Sequence, residues 1–182
     1  MVSERLPSRQ KAMELLKQSG CSPRVIQHCK IVAKLAVKIA KILQKKGYKV
    51  DVRLVEIGAL LHDIGRSKTH DVNHAIVGAR IANDFSLPEA VIKIIERHVG
   101  AGIPQNEAET LGWPKKSYMP QTLEERTVNY ADKLIEGTHR VSMEHTIADF
   151  SRKMGKNHSA IARLKALDEE FQSLFGESKC KP

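Results

Sequence analysis

Long apolar segments are absent from this 182-residue sequence, and aromatic residues make up only 4% of it. No apolar run approaches the roughly 18 to 20 residues of a membrane-spanning helix, so we expect no membrane span. The N-terminus is polar and charged where a secretory signal has an apolar core. The three cysteines, Cys21, Cys29 and Cys180, are odd in number and lack C-x-x-C spacing. This scarcity argues against a disulfide framework and a structural zinc knuckle, and predicts a cytoplasmic protein.

Acidic residues are missing from residues 21–50, a stretch that contains eight lysines and arginines. The chain has 30 Lys and Arg against 21 Asp and Glu, so most of its net charge of +9 lies in this stretch. The lysines from Lys30 to Lys49, termed the basic face, include five that recur at helical spacing: Lys30, Lys34, Lys38, Lys41 and Lys45. Such a face is either an ordinary solvated surface or a positive field that attracts phosphate-rich ligands or RNA. No aromatic residues are interleaved with those five lysines, so base stacking is not indicated.

Sustained alternation of apolar and polar residues is also absent, so the sequence predicts no β-sheet. Apolar residues instead recur at helical spacing between capping residues, prolines and glycines. We predict eight helices, at about residues 8–20, 23–47, 54–65, 73–85, 88–100, 123–137 and 143–150, with a last amphipathic one spanning 161–174. The predicted N-terminal caps are Ser8, Ser22, Asp51, Asp71 and Thr122. The prediction is an all-α fold, a single domain over 1–182 with an N-terminal helix (1–20), a core (21–140) and C-terminal helices (141–182).

Histidines and aspartates interrupt the apolar faces of five of these predicted helices. The residues are His28, His62, Asp63, His74, His98 and Asp132. A buried carboxylate costs several kcal/mol unless a cation or strong donor compensates it, and imidazoles with carboxylates from separate helices suit a transition metal. Taken singly, a buried histidine is commonly a hydrogen-bonded core residue, and Asp132 could pair with a lysine. The complete set favours a metal site, because five helices would otherwise each need a separate explanation.

These residues and their surroundings resemble a known family. The order His28, His62-Asp63, Asp132 resembles the H…HD…D signature of the HD superfamily of metal-dependent phosphohydrolases, and LLHDIGRSK resembles its HDIG core. The segments HAIVGARIA and IERHVGAG resemble those of members that carry two metals, and VNYADKLIEGTHR is similar to the final metal-binding segment. In motif layout the resemblance is closest to symmetrical diadenosine-tetraphosphate hydrolases of this superfamily. It covers about residues 20–140.

The resemblance implies an HD-domain helical bundle with a metal site between core helices. His28, His62, Asp63 and Asp132 would hold a first divalent transition metal, and Asp63 would bridge to a second held by His74 and His98. One or two ions of Fe, Mn, Co, Ni or Zn suit these ligands. Arg66 stands where HDIGK members have lysine, which keeps the charge but changes the donor geometry. The loop after His98 has no GYP-type motif, which disfavours the cyclic-dinucleotide phosphodiesterase subgroup.

The predicted function is hydrolysis of a phosphate ester or anhydride of a nucleotide by a metal-activated water. A dinucleoside polyphosphate is the first candidate substrate and a nucleoside monophosphate the second. The catalytic candidates are Asp63, Arg66 and Lys68, with Arg66, Lys68 and Arg140 as phosphate contacts, although each cation also suits an ordinary surface role. The alternatives are an RNA- or nucleotide-binding module without turnover and, less favoured, a di-iron oxygenase.

Two further features bear on the site. His70 is an alternative ligand in place of His74, a candidate acid for the leaving group, or a solvent-exposed residue; the H-A-I-V-G-A context favours His74. Glycines and prolines punctuate residues 99–120, and a connection of this length is often a lid or binding loop. Because it directly follows His98, we expect it to cover the site. His139, His145 and His158 lack a comparable context and are assigned to the surface.

Overall fold

Helices dominate residues 5–176, the part of the chain that the computed structural model describes. They are α1 (Arg9–Gln18), α2 (Pro23–Lys45), α3 (Val52–Leu61), a 3-10 turn (Ile64–Ser67), α4 (His74–Asp84), α5 (Glu89–Arg97), α6 (Gln105–Thr110), α7 (Leu123–Lys133), α8 (Met143–Met154) and α9 (Ser159–Phe175). Strands β1 (Ile135–Glu136) and β2 (His139–Arg140) form a two-stranded antiparallel hairpin. The all-α prediction is confirmed, and the single-domain division stays a prediction. Cys180 lies outside the described residues.

Side-chain caps determine where several helices begin. Ser22 accepts a hydrogen bond from the backbone N–H of Val25, and Pro23 occupies the first helical position, where it needs no donor. Ser8, Asp51 and Thr122 cap α1, α3 and α7 in the same way, as the sequence predicts.

The predicted cap of α4 was wrong. That helix begins at His74 after Asn73, and no side-chain bond caps it. The carboxylate of Asp71 instead accepts from the N–H of Asn73, within the preceding turn. An aspartate that bonds its own turn in this way satisfies a local donor and starts no helix.

Helix α2 is the centre of the packing, with α3 and α7 as its main neighbours, while α4 packs on α5 and on the 3-10 turn. The predicted apolar stripe of α2 is buried throughout: Val25, Cys29, Val32, Ala36, Ile39 and Leu43. Each large aliphatic side chain buried in this way contributes roughly 1.5–3 kcal/mol. The opposite face of α2 carries the lysines. Within residues 5–176, no helix has the combination of length and apolar character that a bilayer span requires.

The end of α7 differs from the prediction. The helix ends at Lys133 rather than near residue 137, and the chain then turns back on itself between β1 and β2. Gly137 takes φ 58°, which suits the first position of a two-residue hairpin loop and which other residues reach at a cost. The helical spacing of apolar residues continued past Lys133 in the sequence, but the glycine favours the turn.

Residues 99–120 contain α6 and fold back on α4. Ile103, Ala108, Trp113 and Tyr118 bury against Ala75 in a small second apolar cluster. The indole N–H of Trp113 also donates to the side-chain oxygen of Asn73, 2.7 Å away, at the start of α4. This segment therefore supports the helix that begins with His74.

The 3-10 turn and α4 meet backbone to backbone at Gly65. A Cβ at Gly65 would lie 1.9 Å from the carbonyl oxygen of His74 and 2.6 Å from the amide nitrogen of Gly78. Neither backbone atom can move without shifting α4. We expect Gly65→Ala to lower the free energy of unfolding by about 3 kcal/mol or more, measured by urea denaturation.

Gly47→Ala is the matched control for Gly65→Ala. Gly47 has φ 88° with nothing within 4 Å of an added Cβ, so only backbone strain of about 1–2 kcal/mol is expected there. Equal losses in the two variants would contradict the steric argument.

Candidate metal centre

The ends of helices bring the predicted ligands together. His62 follows the last residue of α3 and Asp63 comes next, His74 is the first residue of α4, and His98 follows the last residue of α5. His28 on α2 and Asp132 on α7 complete the set, so all six candidate ligands converge. Most of them are nearly inaccessible: His62, Asp63, His74 and His98 are each at most 4% exposed.

The ring of each of these histidines is oriented by a backbone carbonyl. The Nδ1 atoms of His28, His62, His74 and His98 lie 2.6 to 2.8 Å from the carbonyl oxygens of Gly137, Ala59, Asp71 and Ile95, respectively. A carbonyl oxygen only accepts, so each Nδ1 carries a hydrogen and donates it. Each Nε2 of a neutral ring therefore presents a lone pair to the centre of the cluster. This is the usual orientation of a metal-binding histidine, with its other nitrogen held by an acceptor.

One group of ligand atoms surrounds Asp132. Its Oδ1 lies 3.0 Å from Nε2 of His28 and 3.3 Å from Nε2 of His62. The Oδ2 atom of Asp63 lies 3.8 Å and 3.7 Å from the same two nitrogens. These distances match the ligand set that the resemblance implies for a first metal.

A second group surrounds the other oxygen of Asp63. Oδ1 of Asp63 lies 3.2 Å from Nε2 of His74 and 3.4 Å from Nε2 of His98, and these two nitrogens are 2.9 Å apart. Asp63 thus faces both groups, one with each oxygen, as a bridging carboxylate would.

The electrostatics of the cluster fit a bound cation. Burial lowers the pKa of His98 to about 4, so its ring is neutral near pH 7. When both rings are neutral, the Nε2 lone pairs of His74 and His98 face each other at 2.9 Å, which is unfavourable unless a cation accepts both. Nε2 of His62 and Oδ1 of Asp63 are also buried without a hydrogen-bond partner. Nitrogen and carboxylate donors in this combination suit a divalent transition metal.

Each aspartate of the cluster also contacts a protein cation. Nε of Arg66 donates to Oδ2 of Asp63 at 2.7 Å, and Nζ of Lys133 donates to Oδ2 of Asp132 at 2.5 Å. Burial opposes the charged form of Asp132, but the ammonium of Lys133 and the imidazoles of His28 and His62 together outweigh it and hold the pKa of this carboxyl well below its usual value. The pairing of Asp132 with a lysine and its place in the ligand set therefore coexist, because they use different oxygens.

An open cavity of about 470 Å³ leads from solvent to the cluster. His28, Asp63 and Asp132 lie along it, together with Arg24, Arg66, His70, Lys133, Glu136, His145 and Lys153 among others. Arg66 is thus placed as predicted. The structure does not bring Lys68 or Arg140 to the cavity. Lys68 is exposed beyond the 3-10 turn, and Arg140 on β2 lines a separate groove between α2, α8 and α9.

The positions of the remaining histidines show which of them line the cavity. His70 is exposed and lines the cavity, but its ring is not among the clustered ligand atoms, and His74 occupies the ligand position. His139, His145 and His158 are exposed, as predicted. His145 nevertheless lines the cavity and pairs with Glu136 at 2.9 Å.

The expectation that residues 99–120 cover the site was wrong. None of them lines the cavity within the described part of the chain, because their apolar side chains are buried against α4.

Sequence reasoning missed three contributors to this site. Arg24 lines the cavity and lies one helical turn before His28 on α2, a spacing that could have identified it. The bond from Lys133 to the His98 carbonyl and the bond from His28 to the Gly137 carbonyl gave no comparable signal, since the first depends on the packing of α5 and α7 and the second on the hairpin.

Comparison with known proteins places the chain in a family. The HD domain family matches residues 25–137, and the chain belongs to that family. It is 47% identical over 166 residues to "Uncharacterized protein MJ0778" of Methanocaldococcus jannaschii. The aligned residues cover 91% of this chain and 98% of that protein. The match confirms the resemblance to the HD superfamily, while the closer likeness to diadenosine-tetraphosphate hydrolases stays a prediction.

Other relatives are longer proteins. The chain is 37% identical over 171 residues to a tRNA (cytidine(56)-2'-O)-methyltransferase of Picrophilus torridus, covering 94% of this chain and 48% of that protein. The chain therefore spans about half the length of that relative. It is 32% identical over 133 residues to Ribonuclease Y of Acidothermus cellulolyticus, covering 70% of this chain and 23% of that protein. A similar solved structure is the HD domain of L. monocytogenes phosphodiesterase PgpH in complex with cyclic-di-AMP, with a TM-score of 0.54 and 18% sequence identity. The match covers 94% of this chain and 98% of that one, and it shows that the two share a fold.

The two groups of ligands predict about two transition-metal ions per chain in protein purified without chelator. His98→Ala removes one of the two nitrogens beside Oδ1 of Asp63 and should leave about one ion, held by the group around Asp132. Inductively coupled plasma mass spectrometry measures both values. His139→Ala, at an exposed histidine on β2, is the control and should retain the wild-type content. A wild-type content near one ion would remove His74 and His98 from the ligand set.

Proposed function

We propose that this chain is a metal-dependent phosphohydrolase that cleaves a phosphate ester or anhydride of a nucleotide. The observation that carries the proposal is the convergence of four inward-facing imidazole nitrogens and two carboxylates at the base of an open cavity. When bound there, two divalent ions supply a hydroxide at neutral pH and stabilise negative charge on phosphoryl oxygens. His28, His62, Asp63 and Asp132 would hold one ion, and Asp63, His74 and His98 the other.

The charge of the site supports an anionic substrate. The negative charges of Asp63 and Asp132 are already balanced by Arg66 and Lys133. Bound divalent ions therefore leave the base of the cavity with an excess of positive charge. Phosphate esters and anhydrides carry the charge that offsets it, whereas a neutral substrate does not.

Two arginines are the proposed phosphate contacts. Arg66 uses Nε on Asp63 and Nη1 on the carbonyl of His70, and its Nη2 has no acceptor among residues 5–176. Arg24 lines the cavity on the first turn of α2 and has no ion-pair partner in the same part of the chain. Both guanidinium groups can donate to phosphoryl oxygens, which they match in geometry.

The size of the cavity is compatible with a nucleotide. Its volume of about 470 Å³ falls in the range of roughly 300–1,000 Å³ that is usual for small-molecule sites. The HD domain of PgpH, which shares the fold, was solved with cyclic-di-AMP, a nucleotide. Among nucleotides we favour a dinucleoside polyphosphate first, on motif layout, and a nucleoside monophosphate second.

The test is a screen of dinucleoside polyphosphates, nucleoside monophosphates and cyclic dinucleotides with Mn²⁺ or Fe²⁺ supplied. Asp63→Ala removes the carboxylate that faces both ligand groups, so its rate should fall at least about 100-fold. Asp84→Ala, at an exposed carboxylate on α4, should retain the wild-type rate. Full activity of Asp63→Ala would contradict the proposal.

A second proposed role is RNA binding through the basic face. Lys30, Lys34, Lys38, Lys41 and Lys45 are exposed, and none has an ion-pair or hydrogen-bond partner among residues 5–176. Four of them line one shallow groove: Lys34, Lys38, Lys41 and Lys45. Unpaired cations in a row offer contacts to successive phosphates. The names of two relatives, a tRNA methyltransferase and Ribonuclease Y, also concern RNA.

Substitution of Lys34, Lys38 and Lys41 by alanine should weaken RNA binding and reduce the slope of log K against log salt by about 2. Filter binding of a tRNA at several salt concentrations measures this. The control is the triple alanine substitution of Lys17, Lys115 and Lys165, exposed lysines elsewhere, which changes net charge equally. The same loss in both triple variants would indicate net charge alone and contradict the proposed surface.

A further inference from the structure

Lys133 is a lysine with little access to solvent beside the metal centre. It is 8% exposed at the last position of α7, and its ammonium has two acceptors. Nζ donates to Oδ2 of Asp132 at 2.5 Å and to the carbonyl oxygen of His98 at 3.2 Å. Burial of an ammonium is costly, and these two bonds are what compensates it. The two acceptors belong to residues of different ligand groups, so one side chain connects both.

The contact with Asp132 determines which oxygen is available to a metal. Oδ2 is occupied by the ammonium, while Oδ1 faces Nε2 of His28 and of His62. Asp132 is thereby held as a ligand through a single oxygen, and rotation of its carboxylate would break the bond to Lys133.

The contact with His98 acts on the backbone. The imidazole of His98 is oriented by the carbonyl of Ile95, within the end of α5, and Lys133 bonds the carbonyl of His98 itself. Lys133 thus ties the end of α5, with its ligand, to the end of α7.

Lys133 is also anchored from its other side. The hydroxyl of Thr146 on α8 donates to the backbone carbonyl of Lys133 at 2.6 Å. A separate bond joins α7 to α5, from the side-chain amide of Asn129 to the carbonyl of Arg97 at 3.1 Å. Because these bonds do not involve the ammonium, the end of α7 keeps its place when the Lys133 side chain is replaced.

We propose that Lys133 is a positioning residue of the metal centre, which holds Asp132 as a single-oxygen ligand and fixes His98 relative to it. This inference rests on the proposed metal site. A lysine that only compensated charge would have the opposite effect on metal affinity, since an ammonium repels a cation. The sign of the change on removing Lys133 therefore separates the two roles.

The experiment is a titration of metal-free protein with Co²⁺, followed by its visible absorption, which reports both affinity and coordination. Lys133→Met keeps the length of the side chain but removes the charge and the donors. We expect its Co²⁺ affinity to fall about 10- to 100-fold, the usual effect of losing a partner of a metal ligand, with a changed absorption spectrum. Lys133→Ala, which leaves room for water beside Asp132, is the second variant if Lys133→Met does not fold, and the same fall is expected.

Two controls isolate the effect. Thr146→Val removes the neighbouring bond to the Lys133 carbonyl and should lower the Tm while leaving Co²⁺ affinity within about twofold of wild type. Lys153→Met removes a charge from the rim of the cavity, where Lys153 pairs with Asp149, without touching a ligand. It should also leave the affinity unchanged.

The outcomes are distinct. Wild-type or higher affinity in the Lys133 variants would overturn the positioning role while leaving the metal site intact. A fall of equal size in Lys153→Met would overturn it too, since a lysine that contacts no ligand would then affect the affinity as much as Lys133 does. If wild-type protein binds no Co²⁺, the proposed metal site fails, and the inference about Lys133 fails with it.

Discussion

Between His74 and His98, two Nε2 atoms face each other across 2.9 Å, and in neutral rings each presents a lone pair, because Nδ1 donates the ring hydrogen to a backbone carbonyl. Such lone pairs repel unless a cation accepts them, and this requirement explains much of the surrounding architecture. Helices α3 and α5 end at the cluster, where carbonyls of the last turn have no partner within the helix and orient the rings of His62 and His98, and α4 begins there. Gly65 lets the 3-10 turn that follows Asp63 approach α4 closely enough to bring Asp63 to His74. The helical bundle is thus arranged around a set of atoms whose lone pairs are not satisfied by protein atoms alone.

Each of the two aspartates contacts a cation of the protein and also faces the histidines with which it would share a metal ion. Each gives its Oδ2 to a cation of the chain, Arg66 or Lys133, and has its Oδ1 nearest to histidine, although Oδ2 of Asp63 also faces His28 and His62. This arrangement lets buried carboxylates persist without metal, since neither is left unpaired. It also keeps the ligand oxygens in place before an ion arrives, so that little reorganisation accompanies binding. Because Arg66 and Lys133 already balance the two carboxylates, bound ions would make the base of the cavity positive, which is the property that a phosphate ester requires.

The candidate ligands stand out in the sequence because they interrupt periodic apolar faces and follow a family order, and their role as metal ligands stays a prediction. His62 and His98 fall at helix ends that glycine marks, and all six candidate ligands converge in the structure. Local sequence patterns predict the structure incorrectly where tertiary packing determines the path of the chain. The apolar period of α7 continues past Lys133, yet Gly137 turns the chain, and residues 99–120 bury Trp113 against α4 instead of covering the cavity. The contact of Lys133 with Asp132 joins neighbours in the sequence, but its bond to the carbonyl of His98, 35 positions away, forms only when α5 packs on α7 and has no sequence signal.

The four ring-orienting bonds also differ in how far they reach along the chain. His62, His74 and His98 each donate to a carbonyl three residues earlier, so these rings acquire their direction as soon as the local turn forms. His28 donates to Gly137, 109 positions away, across the tip of the hairpin. The ring directions of His62, His74 and His98 are therefore set within their own turns, whereas the direction of the His28 ring depends on the meeting of α2 with the hairpin that follows α7. A change in the hairpin that moved the Gly137 carbonyl would therefore leave His28 without its orienting bond, while the other three rings would keep theirs.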